Sequence, residues 1–248
     1  MGKKKRLDIH LVDNGLTPSR EQAKRLILAG KVYVNKRIID KPAAEIENTD
    51  IIELKGKQPF VSRGGSKLKK ALEEFSISVD GLTAADIGAS TGGFTDCLLQ
   101  SGARRVFSID VGKGLIDWNL RNDPRVEVME SCNARYLKEG DLKEKPDIVT
   151  VDVSFISLEK ILPALKEVIK DGGKCIVLIK PQFEAERKEM KKGVVRDPEV
   201  HKRVIAKIDS AAKDNGFDVA GVTESPIKGP AGNVEFLMFM RKPKSGKL

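Results

Sequence analysis

Leu82-Thr-Ala-Ala-Asp86-Ile-Gly88-Ala-Ser-Thr-Gly92-Gly93-Phe-Thr-Asp96 is the stretch whose reading decides the fold. An apolar approach leads to Asp86, a run of small residues follows, and an amphipathic segment extends from Phe94 to Gln100. The pattern predicts a strand, a tight glycine-rich turn and the start of a helix. Gly88, Gly92 and Gly93 would let the backbone approach a ligand where a β-carbon would clash. The helix aims free N–H groups and its positive dipole end at the turn, so a nucleotide-like ligand is expected there. The spacing is not G-x-G-x-x-G, which disfavours a dinucleotide.

Working outward, Val106-Phe107-Ser108-Ile109 ends at Asp110. An acid closing the second strand of such a unit commonly binds ribose hydroxyls. The pattern D-x-G-x-x-x-G-G-F followed by that acid resembles the S-adenosylmethionine loop of Rossmann-like methyltransferases. The resemblance implies S-adenosyl-L-methionine as cofactor. Gly88 and the loop Ser90, Thr91, Gly92, Gly93 would then cover its amino-acid end, and Asp110 would take the ribose hydroxyls. Asn133, in Cys132-Asn133-Ala134, falls where adenine is usually held. Asp86 would act through the loop backbone or on the amino group.

Beyond this unit, strand-like and helix-like segments alternate. Strands are predicted at 84–87, 105–109, 126–129, 148–153, 175–179, 218–222 and 234–240, and helices at 66–75, 93–100, 158–169 and 201–215. Alternation of this kind implies a parallel sheet covered on both faces, with ligands at the carboxyl ends of its strands. Only Thr223 to Asn233 separate the last two strands, too little for a helical crossover, so these should pair antiparallel. Four polar residues fall at telling places: Lys67 at the start of a helix, Asp152 and Lys180 at strand ends, and Glu235 opening the last strand.

The first fifty residues read differently. Residues 1–62 carry 13 Lys/Arg against 8 Asp/Glu, so more than half of the chain's net charge of +9 lies in a quarter of its length. Ser19 is a good N-cap with Gln22 three residues on, and the helix from Arg20 should stop at Gly30. Short β-like pieces follow at 32–34, 38–39 and 51–54. Arg6-Leu-Asp…Ser19-Arg20…Ala23-Lys24…Ile27…Gly30-Lys31-Val32…Val34-Asn35 resembles the S4 RNA-binding domain. By that resemblance Arg6, Arg20, Lys24, Arg25 and Lys31 would face structured RNA, recognised through shape and phosphate. The chain is thus read as α/β: a Rossmann-like methyltransferase sheet, mostly parallel with an antiparallel last strand, preceded by a small α+β S4 domain. The expected boundaries are 1–56, a linker over 57–62 and 63–248, and the short linker suggests two domains holding one RNA together.

Lys67, Asp152, Lys180 and Glu235, in that order, match the K-D-K-E set of ribose 2′-O-methyltransferases that resemble FtsJ. The whole chain looks like the TlyA family of rRNA methyltransferases, which also carry the name haemolysin. This implies 2′-O-methylation of ribosomal RNA in the cytoplasm, with rRNA or ribosomal subunits as partner. A ribose hydroxyl is a very weak acid and must lose its proton as it attacks. A partly desolvated lysine beside another cation can serve as base, and Lys180 is assigned that role. Lys67 would assist it, and Asp152 and Glu235 would orient the lysines. The join departs from an R-x-W-V linker of some relatives, reading Gln58-Pro-Phe-Val61 here. Asp152-Val-Ser-Phe155 lacks the prolines of amino-methylating D/N-P-P-Y/F motifs.

Two other readings compete: an RNA-binding protein with an inactive methyltransferase fold, and a membrane-active haemolysin. Net positive charge, with a pI near 9.3, favours a polyanionic partner. Three scattered cysteines argue against a disulfide framework, and with only two histidines no metal site is expected. No apolar run approaches the length of a membrane span, and no signal peptide is apparent. Phe183 to Arg196 is expected to be a charged, mobile loop beside Lys180.

Overall fold

Thr83–Ile87 (β1) is buried along its whole length because the sheet continues on both sides and helices cover both faces. The computed structural model describes residues 4–54 and 59–244. The chain divides into two units, Met1–Gln58 and Pro59–Leu248. In the second unit the other strands are Arg105–Ile109 (β2), Val126–Met129 (β3), Ile148–Val151 (β4), Lys174–Ile179 (β5), Asp218–Glu224 (β6) and Phe236–Arg241 (β7). Their order across the sheet is β6-β7-β5-β4-β1-β2-β3. β5, β4, β1, β2 and β3 run parallel, whereas β7 is antiparallel to both β5 and β6. The chain leaves β1 towards β2 on one side and reaches β4 on the other. A crevice therefore opens beyond the carboxyl ends of β1 and β4.

Alternation sends successive side chains to opposite faces. Ala85, Ile87, Phe107, Ile109, Val149 and Val151 pack under the helices Leu162–Val168 and Pro198–Asp214. Ala84, Val106, Ile148, Ile176 and Leu178 pack under Gly64–Glu74 and Gly93–Gln100 through Leu68, Ala71, Phe94 and Leu98. Phe94, the phenylalanine that closes the glycine motif and is expected in the core, has its ring there, 3% exposed. Each fully buried Leu or Ile contributes about 1.5–3 kcal/mol.

Several boundaries differ from the sequence reading. Lys67 is the fourth residue of its helix, and Glu235 precedes β7 instead of opening it. Pro59 to Ser62 are built into the second unit: Phe60 is buried against Gly65, and Val61 N donates to Asp96 Oδ2 at 2.8 Å. The remainder of the expected linker lies outside the described residues. Phe183 to Arg196 is not one open loop. Pro181–Glu184 is a short helix, Arg187–Glu189 a 3-10 turn, and Val194 and Val195 are buried.

In the first unit, helices Leu7–Asp13 and Arg20–Leu28 lie with a three-stranded sheet of Val32–Val34, Arg37–Ile38 and Ile52–Leu54. Lys5–Arg6 pairs separately with Glu45–Ile46. Leu7, Leu11, Ala23, Ile27, Val32 and Ile46 form the core. Ser19 Oγ accepts from Gln22 N at 3.3 Å, as a cap should. Asn35 and Lys36 both have positive φ, the geometry a two-residue hairpin turn requires.

Candidate active site

A cleft of about 350 Å³ opens at the crevice beyond β1 and β4. Its lining brings together Lys67, Asp152, Lys180, Glu235 and, from the glycine turn, residues 88–91, Gly93 and Phe94, whereas Gly92 lies outside it. The four polar residues come from four separate places in the chain. Lys67 projects from a helix, Asp152 and Lys180 directly follow β4 and β5, and Glu235 directly precedes β7. The antiparallel direction of β7 puts its first residues at the same edge of the sheet as the last residues of β5.

The four form two lysine–carboxylate pairs. Lys67 Nζ lies 2.6 Å from Glu235 Oε2, and Lys180 Nζ lies 2.6 Å from Asp152 Oδ1. All are buried or nearly so, and at this depth the attraction is screened far less than at a surface. Lys180 Nζ also donates to Ser154 Oγ at 2.8 Å. Asp152 Oδ1 has no hydrogen-bond partner among the described residues, so its contact with Lys180 is an ion pair, and Ser154 is the hydrogen-bonding partner of Nζ. Glu235 is fully buried, and its Oε1 has no hydrogen-bond partner among the described residues. A β-carbon on Gly229 would lie 2.0 Å from that oxygen, so glycine is needed there for the carboxylate to fit.

The glycine turn is crowded by the protein itself, and this corrects the reading in which its missing β-carbons face a ligand. A β-carbon on Gly88 would sit 2.5 Å from the Asp152 carbonyl oxygen, and one on Gly92 2.3 Å from Leu120 Cδ1. One on Gly93 would sit 2.2 Å from Ser62 Oγ. Gly88 and Gly92 also have φ of +81° and +93°, which L side chains rarely adopt. Ser90 and Thr91 are exposed at the tip. Gly93 and Phe94, whose N–H groups belong to the first turn of the helix, line the cleft.

Asp86 is not at the surface of the cleft. It is fully buried, and Thr95 donates to its Oδ2 through both N, at 2.8 Å, and Oγ1, at 2.7 Å. Thr150 Oγ1 donates to Oδ1 at 3.2 Å. Burial pushes this carboxyl up to about 7, against the pull of those hydrogen bonds. Asp86 therefore fastens the helix start to the sheet and does not itself line the cleft. Asp110 accepts from Ser90 N and Gly112 N, both at 2.7 Å, and each carboxylate oxygen keeps a second lone pair for a hydroxyl. Asn133 is exposed and caps the short turn Ala134–Tyr136 through its Oδ1. These two lie outside the lining of the cleft.

Sequence reasoning missed several residues. Ser154, the second partner of Lys180, is one. Thr95 and Thr150 are others; Thr150 is paired in register with Asp86 across β1 and β4, which only the strand alignment reveals. Glu184 is a fourth: it accepts from Ser157 Oγ at 2.6 Å and Leu158 N at 2.7 Å, tying the segment after β5 to the loop after β4. Burial raises its carboxyl above the usual range. Phe155, in that loop, is 90% exposed at φ +63° and packs on Phe183 with ring centroids 4.9 Å apart. An exposed aromatic in a strained conformation beside the cleft offers a stacking face.

In the first unit Arg6 and Arg20 converge on Asp8, which is fully buried. Arg6 donates through Nε and NH2 and Arg20 through Nε, all at 3.0 Å. The Arg6 hydrogen bonds, ahead of Arg20, hold the Asp8 carboxyl down to about 2. Both guanidinium groups remain about half exposed, with donors to spare. Lys24 pairs loosely with Glu21, and Arg25 and Lys31 are exposed. Among the described residues there is no group of three or more His, Cys, Asp or Glu that could hold a metal ion, and no helix is long and apolar enough to cross a membrane.

The model of the FtsJ-like methyltransferase family matches residues 60–242, and that of the S4 domain matches residues 5–52. The chain is 48% identical to "Putative rRNA methyltransferase YqxC" of Bacillus subtilis (strain 168), over 99% of this chain and 88% of that one. It is 42% identical to the 16S/23S rRNA (cytidine-2′-O)-methyltransferase TlyA of Mycobacterium tuberculosis, over 97% of this chain and 91% of that one. A solved S-adenosylmethionine dependent methyltransferase of Mesorhizobium loti superposes with a TM-score of 0.52 at 14% identity, covering 69% of this chain and 96% of its own, and shares the fold.

Proposed function

The chain belongs to the FtsJ-like methyltransferase family, in its S4-bearing TlyA branch, and from that premise we propose that it methylates ribose 2′-oxygens of ribosomal RNA with S-adenosyl-L-methionine. The observation that carries the reading is the placement of two buried lysine–carboxylate pairs on the same cleft as the glycine turn. A cytoplasmic location, beside ribosomes, goes with it.

The residues present suit the cofactor. The first helical turn offers N–H donors at one side of the cleft, and Glu235 Oε1 is a buried acceptor still wanting a donor. Gly88, Ser90, Thr91, Gly92 and Gly93 would hold it, with Asp86 bracing their turn, and Asp110 and Asn133 would extend the site. When bound, S-adenosyl-L-methionine supplies a methyl group on a sulfonium, already a strong electrophile. What the protein must add is removal of the 2′-hydroxyl proton and alignment of the oxygen.

Lys180 is assigned the proton. Nζ would accept the 2′-proton, leaving the oxygen free to take the methyl group that bound S-adenosyl-L-methionine would supply. Asp152 and Ser154 fix the direction of Nζ. Lys67, held by Glu235, offers the ribose a second polar contact. Phe155 gives the base of the same nucleotide a surface to stack on. Arg6, Arg20, Lys24, Arg25 and Lys31 would grip RNA phosphates from the first unit.

Ribosomal subunits from cells lacking the protein, incubated with it and radiolabelled cofactor, should gain label on a ribose 2′-oxygen. Label on a base would overturn the assignment and move the chemistry to Asp152–Phe155. Cofactor binding without any transfer would favour an RNA-binding protein with an inactive fold.

A further inference from the structure

A second cavity of about 360 Å³ lies in the same unit, lined by Val194, Val195, Arg196, His201, Lys228, Ala231, Gly232 and Val234. One stretch of chain separates it from the catalytic cleft. Ile227 and Gly229 line the cleft, while Lys228, between them, lines the second cavity.

Charge in this cavity is one-sided. Arg196 and Lys228 are exposed and take no hydrogen bond or ion pair among the described residues. The nearby acids are engaged elsewhere: Asp197 Oδ1 accepts from Glu199 N at 2.9 Å, and Glu199 Oε1 holds Lys202 Nζ at 2.8 Å. His201 Nε2 is bonded to Val195 O at 3.1 Å and keeps its ring edge-on to Phe236.

The two cations are also held in register with the chemistry. Asn233 is buried; its Oδ1 accepts from Val195 N at 3.1 Å and its Nδ2 donates to Gly193 O at 3.0 Å. Its own carbonyl accepts from Gly229 N at 2.9 Å. One side chain thus staples the segment before Arg196 to the turn after Lys228, two residues ahead of Glu235.

Resting on the methyltransferase reading, we propose that this cavity is a phosphate subsite, in which Arg196 and Lys228 bind a backbone phosphodiester of the RNA close to the methylated ribose. The volume admits a phosphodiester with its flanking sugar. Unpaired guanidinium and ammonium groups suit its oxygens, and the shared wall keys its position to the catalytic cleft.

The test compares the parent protein with Arg196→Ala/Lys228→Ala and with Arg196→Lys/Lys228→Arg, after equal thermal midpoints confirm folding. RNA affinity is measured across a salt series, alongside KM for RNA and cofactor affinity. In the alanine pair the salt slope should flatten by about one to two, the release expected on losing one or two phosphate contacts. KM for RNA should rise on the order of tenfold, the loss expected when charge-assisted phosphate contacts disappear. Cofactor affinity should hold, and the charge-retaining pair should keep the slope. An unchanged slope and KM in the alanine pair would overturn the proposal. So would inorganic phosphate that binds the parent and not the alanine pair while RNA binding is the same in both, the mark of a free-anion site. If the parent methylates no RNA at all, the functional reading fails while the salt slopes still decide this one.

Discussion

Asp8 in the first unit and Asp86 in the second are both fully buried aspartates, yet their carboxyls are driven in opposite directions. Asp8 meets two arginines and is held down to about 2; Asp86 meets hydroxyls and one N–H and is pushed up to about 7. Burial alone disfavours the charged form, and a nearby full positive charge reverses that. In the first unit an anion organises cations that stay half exposed and available to a partner. In the second, a carboxyl held by neutral donors pins a helix, and the lysine–carboxylate pairs are kept for the cleft. A buried acid beside a functional motif is therefore no guide to its role until its neighbours are known.

The largest effect should come from asking whether the cleft pairs are chemical where the Asp8 cluster is structural. Lys180→Ala is expected to slow methyl transfer about a thousandfold, within the range for loss of a general base, with cofactor affinity retained. Single-turnover kinetics and calorimetry would check both. A loss below tenfold would return Lys180 to the status of an ordinary ion-pair partner.

Asp8→Ala should act on stability. Stranding two arginines beside an emptied acceptor site should cost the first unit about 1–3 kcal/mol, visible in denaturant melts of the full chain. Asp8 has its carboxyl lowered in the folded state. Its contribution is present above about 4, and fades as pH falls through about 2. The variant should lack that acid-sensitive component. Arg25→Ala, by contrast, should leave stability within about 0.5 kcal/mol, as surface substitutions usually do, and weaken RNA binding at low salt.

Asp86 carries the opposite sign. Its folded-state carboxyl is raised, so its effect on stability is most favourable below about 4 and declines as pH rises towards about 7, then levels off. Asp86→Asn keeps the shape and removes the titration. Relative to the parent it should gain stability between those two pH values, a difference that chemical denaturation at several pH values can follow. A parallel pH profile for the two proteins would show that Asp86 is charged throughout.

What could be read from the sequence follows from the same contrast. β1, β2, β3 and the helix after the glycine turn were legible because apolar periodicity and glycine placement are local signals. The set Lys67, Asp152, Lys180, Glu235 was legible through resemblance, and the cleft gathers it. Hydrogen-bond partners across strands were not legible, since Thr150 lies beside Asp86 only once β4 and β1 are aligned. Nor was it apparent that Asp8 would hold together Arg6 and Arg20, fourteen residues apart. The short helix Pro181–Glu184 had a signal in its first-position proline. It was outweighed by the charged residues that follow.

The contact between Gly88 and the Asp152 carbonyl has a consequence for how the chain tolerates changes in length. The turn after β1 and the loop after β4 meet backbone to backbone, with no side chain between them to absorb a misfit. One residue inserted between Ile87 and Gly93 should therefore dislodge Asp152 and abolish turnover. An insertion at Gly140, where the surroundings are open, should pass unnoticed. Segment length around the cleft would then be as constrained as residue identity, and shuffling with other family members should succeed only where the spacing from Ile87 to Gly93 is kept.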